Sequence, residues 1–183
     1  NWNKEQNILK YIQNKYDLHS KQKTLFATII SRHDRGGQRT LIYDELSKYG
    51  NIISPGKFNR NTNPIGEGKE DKINCISQSI YNICPENSSF EGYYTEKIFQ
   101  AFEGGTIPLY WGIGLPEPNI INRNKYCFCD VKNSHSLRQS IKHACDNPEY
   151  YLQGELFNEN AGKHIENYYN TFIMCIKSKL MST

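Results

Sequence analysis

The segment Tyr81–Gly112 constrains the fold of this chain more than any other. A short apolar run, Tyr81–Cys84, leads into a polar loop that contains a glycine, and apolar residues at helical spacing follow over Thr95–Glu103. The pair Gly104-Gly105 stands where a left-handed helix C-cap is expected, before a second apolar run, Ile107–Trp111. This order of strand, loop, helix and strand is typical of an α/β fold with a parallel sheet, which binds ligands at its carboxyl edge.

The first turn of the predicted helix carries the clearest binding chemistry. Thr95 is the candidate N-cap, and Glu96 and Lys97 follow it. The backbone N–H groups of a first helical turn stabilise a phosphate, to which Lys97 adds a full charge. A carboxylate accepts hydrogen bonds from sugar hydroxyls, so Glu96 indicates a sugar attached to a diphosphate. The same residues also fit ordinary complementation of the helix dipole, with Lys97 in solvent.

A second unit of strand, loop and helix precedes this segment. The run Thr24–Ile30 predicts a strand, the polar loop Ser31–Gln38 follows it, and a helix is predicted over Arg39–Tyr49. Arg39 stands at the start of that helix, where it can reach an anion held at the same sheet edge. A guanidinium bonds two phosphate oxygens at once, which favours a binding role over an exposed arginine on a first turn.

The remaining elements complete one domain of 183 residues. We predict an N-terminal helix at about 4–16, a Rossmann-like core at about 24–145 and C-terminal helices at about 148–179. The elements predicted within this frame are a strand at 51–53, a long polar loop at 54–69, a helix at 71–78, a strand at 126–131, and helices at 134–145, 148–157 and 159–179.

Composition excludes several classes of function. The net charge is only +3 and no cluster of basic residues is present, so we expect neither nucleic-acid binding nor a charged membrane surface as partner. No apolar stretch reaches the length of a membrane span. The six cysteines lack zinc-ligand spacing, and we expect buried free thiols and a reducing compartment, either the cytoplasm or another one. His33 and Asp34 lack a third ligand candidate, so we interpret them as part of a solvated loop.

Three ordered blocks of the central segment resemble the donor-binding signature of the α-1,3/1,4-fucosyltransferases, glycosyltransferase family 10. They are Pro85–Ser88, Gly92–Ile98 and Gly105–Gly112, and a looser likeness extends from about Thr24 to about Asp130. The resemblance implies the C-terminal half of a GT-B fold, a Rossmann-like parallel sheet flanked by helices that binds the nucleotide sugar GDP-fucose. It also implies inverting transfer of fucose to a glycan acceptor, with a general base from an N-terminal acceptor domain that has no counterpart in this sequence.

The resemblance also assigns roles by position. Lys97 and Arg39 bind the diphosphate and stabilise it as it leaves, and Glu96 holds fucose hydroxyls. Asn87 contacts the nucleotide, and Tyr93 lies against the donor. No D-x-D motif is present, so we expect neither a metal nor another cofactor.

One alternative remains open. A noncatalytic binding or interaction module that kept the fold would show no preference for GDP and would carry an exposed apolar patch. The sequence starts at Asn1 without an initiator Met, which fits an excised piece of a longer polypeptide.

Overall fold

A parallel five-stranded sheet lies at the centre of the computed structural model, which describes residues 2–181, with side chains from residue 7 onward. The strand order is β2-β1-β3-β4-β5, and every neighbouring pair is parallel. The strands are β1 (Leu25–Ile29), β2 (Ile52–Ile53), β3 (Ser79–Ile83), β4 (Ile107–Tyr110) and β5 (Cys127–Phe128). The predicted α/β fold with a parallel sheet flanked by helices is confirmed.

Helices cover both faces of the sheet. They are α1 (Trp2–His19), α2 (Gln38–Leu46), α3 (Lys69–Ser77), α4 (Lys97–Glu103), α5 (Ser134–Asp146), α6 (Pro148–Leu152) and α7 (Ala161–Met181). One apolar cluster joins α2 and α5 to the sheet, and a second joins α1 to α4 on the other side. Successive residues of β4 alternate between them, since Leu109 packs in the first cluster and Tyr110 in the second.

The connection from α4 to β4 is tight. Gly105 has a φ of 62°, so it provides the left-handed residue that the sequence predicted after the helix. A Cβ at Gly105 would lie 2.5 Å from the backbone N of Ser20, which follows α1. The ring of His19 also bonds the carbonyl of Glu103, with Nδ1 at 2.7 Å. Gly105 therefore lets α1 and α4 approach closely on one face of the sheet.

Several element boundaries differ from those predicted, for local reasons. Helix α4 begins at Lys97 and not at Thr95, because the Thr95 hydroxyl bonds a buried carboxylate and does not cap the helix. Helix α5 is capped by Asn133, whose side chain accepts the N–H groups of His135 and Ser136. Helix α6 ends at Leu152, before the end predicted for it.

Helix α7 has an apolar face, as its spacing predicted, but much of that face lies outside the core. Ala161 is buried and Ile165 packs against the cluster of α1 and α4, whereas Tyr169 and Phe172 are 58% and 61% exposed. Of the helices within residues 2–181, none combines the length and the hydropathy that crossing a membrane requires.

Candidate functional site

A cavity of about 190 Å³ opens at the carboxyl ends of β1 and β3, between α2, α3 and α4. Its lining carries four basic side chains and no carboxylate; the four are Arg32, Arg39, Lys72 and Lys97. Two of them, Arg39 and Lys97, are residues that the sequence singled out for phosphate binding, and Asn87 also lines the cavity. A concave site with this lining suits an anion, because each positive charge attracts the anion and this attraction is stronger in partly dehydrated surroundings than in water.

Arg39 lies in the first turn of α2, and its guanidinium is buried. Nη2 donates to Oδ1 of Asn87 at 2.7 Å and, at 3.4 Å, to the carbonyl of Pro85. Burial lowers the pKa of Arg39, while the carboxylates of Asp34 and Glu86 act in the opposite direction. The exposed arginine considered as an alternative is therefore wrong, since only 6% of the residue is accessible. The hydrogen bond also brings two predicted site residues into direct contact.

The interpretation of Asp34 as part of a solvated loop is wrong. Its side chain is only 5% exposed, and Oδ2 accepts the backbone N–H of Thr40 at 2.8 Å. The first turn of a helix leaves such N–H groups without intrahelical partners, so Asp34 satisfies one of them at the start of α2. Oδ1 lies 4.0 Å from Nη1 of Arg39. Neighbouring His33 is exposed, as a loop residue would be.

Glu86 is a buried carboxylate that the sequence analysis did not single out. Oε1 accepts the backbone N–H of Thr95 at 2.9 Å, and Oε2 accepts the Thr95 hydroxyl at 2.6 Å. The hydroxyl of Tyr110 lies 3.5 Å from Oε1, and the Glu86 charge together with burial raises the pKa of Tyr110. Glu86 thus ties together the two ends of the loop 87–94. The signals in the sequence are a charged residue three positions after the end of a buried strand and its place within the block Pro85–Ser88.

Lys97, the first residue of α4, is held by the same carboxylate. Its ammonium donates to Oε2 of Glu86 at 3.1 Å and to the Thr95 hydroxyl at 2.8 Å. The side chain keeps 18% of its surface accessible and lines the cavity. The alternative of a solvated lysine is wrong, because Glu86 and Thr95 fix Lys97 at the cavity wall.

Lys72 is the second residue of the site, after Glu86, that the sequence analysis missed, and it lines the cavity. It lies in α3 one turn before Ile76, and both residues line the cavity. Residues four apart share one face of a helix, so the spacing of Lys72 and Ile76 was a signal that could have been used. The helix had been predicted at 71–78 without any role in the site.

Tyr93 and Glu96 are placed apart from the other predicted site residues. Neither lines the cavity that contains Arg39, Asn87 and Lys97. Tyr93 is partly buried in the loop 87–94, where its ring packs edge-on against Phe90 at a centroid distance of 6.4 Å. Glu96 is exposed at the N-cap of α4, and its charge opposes the lowering of the Lys72 pKa. Glu96 directly precedes Lys97, which lines the cavity, and Tyr93 lies in the loop between Asn87 and α4.

The cysteines and acidic residues do not form a metal site within the described part of the chain. No group of three His, Cys, Asp or Glu side chains suited to a metal ion occurs among residues 7–181. Cys84, Cys127 and Cys129 are buried free thiols, and burial raises the pKa of Cys84 and Cys129. A raised pKa keeps a thiol protonated, so Cys84 and Cys129 serve packing and not nucleophilic chemistry.

Comparison with known proteins identifies relatives over most of the chain. Residues 18–158 match the family model described as glycosyltransferase family 10 (fucosyltransferase), C-terminal. The α-(1,3)-fucosyltransferase FucT of Helicobacter pylori is 32% identical over 127 residues, which cover 69% of this chain and 26% of that protein. The human 4-galactosyl-N-acetylglucosaminide 3-α-L-fucosyltransferase 9 is 30% identical over 141 residues, covering 75% of this chain and 37% of that protein. The chain thus spans about a quarter to about a third of these relatives' length.

Solved structures share the fold. A crystal structure of an α1,3-fucosyltransferase with GDP superposes with a TM-score of 0.62 at 25% identity, covering 84% of this chain and 47% of that one. A crystal structure titled as the α1,3-fucosyltransferase with GDP-fucose gives the same TM-score of 0.62 at 24% identity, covering 87% of this chain and 52% of that one.

Proposed function

Because the chain belongs to glycosyltransferase family 10, the fucosyltransferase family, we propose that it is the donor-binding part of a fucosyltransferase-like enzyme. In this proposal the cavity between α2, α3 and α4 holds the diphosphate of a nucleotide sugar. One observation carries it: Arg39 and Lys97, on two different helices, line the same cavity at the carboxyl edge of the sheet. Open parallel sheets bind their ligands at that edge.

The proposed donor is GDP-fucose. Support comes from the relatives, which are named fucosyltransferases. It also comes from the fold shared with crystal structures of an α1,3-fucosyltransferase with GDP and with GDP-fucose. Asn87 would contact the nucleotide, since its amide lies at the cavity wall and is oriented by Arg39. Tyr93 and Glu96 would contact the sugar outside this cavity; Glu96 directly precedes Lys97, and Tyr93 lies in the loop that begins at Asn87.

The proposed reaction is inverting transfer to a glycan acceptor. An acceptor hydroxyl attacks C1 of the sugar, the bond between C1 and the diphosphate oxygen breaks, and its electron pair stays on the diphosphate. Arg39 and Lys97 would stabilise the negative charge that grows on that oxygen, which lowers the barrier because the interaction is strongest in the transition state. The hydroxyl proton would pass to a general base from an acceptor domain outside this sequence.

Two further features belong to the proposal. Cationic side chains would neutralise the charge of the diphosphate, which a divalent ion does in other transferases, so donor binding would not require a metal. The proposed location is a reducing compartment, the cytoplasm or another one, and buried free thiols such as Cys127 and Cys129 support it.

Calorimetric titration with GDP, GDP-fucose, GDP-mannose and UDP-glucose tests this function. We expect the guanosine ligands to bind at least about tenfold more tightly than UDP-glucose, and addition of EDTA to leave binding unchanged. Lys97→Ala should weaken GDP binding by about tenfold to a hundredfold through loss of a charged hydrogen bond. Lys177→Ala, at an exposed lysine of α7, is the matched control. Absence of binding to any guanosine ligand would refute the proposed function.

A second candidate is a noncatalytic interaction module that retains the fold. The exposed apolar residues of α7, among them Tyr169 and Phe172, favour it, because such a patch is typical of a contact surface. This candidate predicts equal, weak affinity for all four nucleotides. The titration therefore separates the two candidates directly.

A further inference from the structure

Lys72 occupies a position in the cavity that neither the sequence motifs nor the family match explains. It extends from α3 and lines two adjoining cavities. The first is the cavity of Arg39 and Lys97, and the second lies between α3, Arg32 and Gln100. Lys72 therefore stands at the junction of the two, where its ammonium can approach a ligand that enters from either side.

Three of the four cations that line the first cavity are buried or partly buried, and they differ in what they contact; the fourth, Arg32, is exposed to solvent. Arg39 donates to Asn87 and Pro85, and Lys97 donates to Glu86 and Thr95. The Lys72 ammonium has no hydrogen bond or ion pair to any residue whose side chain the structure describes, and the backbone N–H of Lys72 is used within α3. Of the three, Lys72 is the one whose charge is not already satisfied by the protein.

The surroundings make this charge costly. Burial lowers the pKa of Lys72, the Glu96 carboxylate opposes this effect, and the positive charge of Lys97 adds to it. A partly buried ammonium without a counter-ion destabilises the folded chain, and an anionic ligand would remove that cost on binding. Helix α3 holds Lys72 in place, since its face is anchored by buried Ile73 and Ile76.

We infer that Lys72 is a third cationic ligand of the diphosphate, and this inference rests on the proposed function. Arg39 and Lys97 would hold the diphosphate from α2 and α4, and Lys72 would contact it from α3. During transfer the electron pair of the broken bond remains on the diphosphate oxygen, and no proton moves from Lys72. Lys72 would contribute a full positive charge. The charges of Arg39 and Lys97 are partly neutralised by the carboxylates of Asp34 and Glu86.

The test combines binding and stability, because the inference predicts effects that a structural lysine would not produce. Lys72→Met keeps the aliphatic stem and removes the charge. We expect it to bind GDP about tenfold to a hundredfold more weakly than wild type in calorimetry, while its urea midpoint stays equal or rises. Lys72→Arg should retain GDP affinity to within about threefold, and Lys10→Met, at an exposed lysine of α1, should change neither quantity.

Each outcome decides the inference. Unchanged GDP affinity in Lys72→Met would overturn it, as would a loss of affinity that is matched by a lower urea midpoint, since the latter indicates a structural role. If wild type binds GDP and Lys72→Met binds equally well, only this inference fails. If wild type does not bind GDP at all, the proposed function fails with it.

Discussion

Glu86 is the residue on which the geometry of the site most depends. Its carboxylate accepts hydrogen bonds from the Thr95 backbone N–H, the Thr95 hydroxyl and the Lys97 ammonium, and its side chain is fully buried. A buried carboxylate is stable only where such donors surround it, so the group and its partners act as one unit. The loop 87–94 and the position of Lys97 follow from that unit.

Replacement of Glu86 should therefore be costly although the shape is preserved. Glu86→Gln removes the charge that pairs with Lys97 and brings an NH₂ group towards donors, and we expect the free energy of unfolding to fall by about 1–3 kcal/mol. Urea denaturation measures the change. Glu91→Gln, at an exposed position of the same loop, is the control and should leave the midpoint unchanged. Equal midpoints for wild type and Glu86→Gln would contradict this account of the site.

Sequence reasoning found the charged residues that stand at helix starts and missed those whose role depends on tertiary contacts. Arg39 and Lys97 could be predicted because residue type and position both pointed to an anion. Glu86 could not, since its donors come from Thr95, Lys97 and Tyr110, and their convergence is set by the fold. Lys72 was missed because one lysine on a polar helix is usually solvated.

At the scale of elements, the packing of α1, α3 and α4 depends on the pair of glycines that ends α4. A Cβ at Gly104 would lie 2.5 Å from Cγ2 of Ile76 in α3, and one at Gly105 would lie 2.5 Å from the backbone N of Ser20. Flexible side chains can move aside, but backbone cannot without displacing a helix. Gly105 is thus the more demanding of the two positions.

Gly105→Ala should lower the free energy of unfolding by more than about 2 kcal/mol, because left-handed backbone strain adds to a clash with the end of α1. Gly154→Ala is a matched control: Gly154 has a φ of 82°, and the nearest atom to a Cβ there is Lys125 Nζ at 3.9 Å. That variant should lose only the strain, about 1–2 kcal/mol. Denaturant unfolding compares the two, and equal losses would refute the proposed close approach.

Lys23 links the ends of α3 and α4 and should make stability depend on pH. Its ammonium donates to the carbonyls of Ser77 at 2.9 Å and Gly104 at 2.8 Å, and burial lowers its pKa to about 8. The unfolded chain then binds more protons than the folded one between pH 8 and the usual lysine pKa of about 10.4, so stability from this group rises across that window.

Comparison of wild type with Lys23→Met isolates the contribution of Lys23 to the free energy of unfolding. The free energy of unfolding of wild type minus that of Lys23→Met should increase as pH rises from about 8 to about 10, because the subtraction removes groups common to both proteins. Urea denaturation at each pH provides the values. A difference that stays constant or decreases over this window would show that the folded-state pKa of Lys23 is not lowered.

At the scale of the whole molecule, the order of apolar runs and glycines was enough to predict the parallel sheet, and the structure confirms it. The strands β1, β3 and β4 are buried and strongly apolar, so their pattern leaves few other arrangements. Helix α7 shows the limit of such reasoning. Its spacing predicts an apolar face, but spacing carries no information about what covers that face, and Phe172 lies 61% exposed.

The site is likewise a property of the whole molecule, because its charges come from three helices brought together by the sheet. Arg39 precedes Lys97 by 58 residues in the sequence, and the parallel pairing of β1 with β3 brings them to one cavity. The binding of a diphosphate in that cavity is the claim from which the proposed function and the role of Lys72 both follow.

A crystal structure of the chain with GDP tests this claim most directly. We predict the diphosphate oxygens within hydrogen-bond distance of the Arg39 guanidinium and the Lys97 ammonium, at the carboxyl ends of β1 and β3. A diphosphate bound elsewhere on the chain, with Arg39 and Lys97 still bonded only to protein groups, would contradict the account.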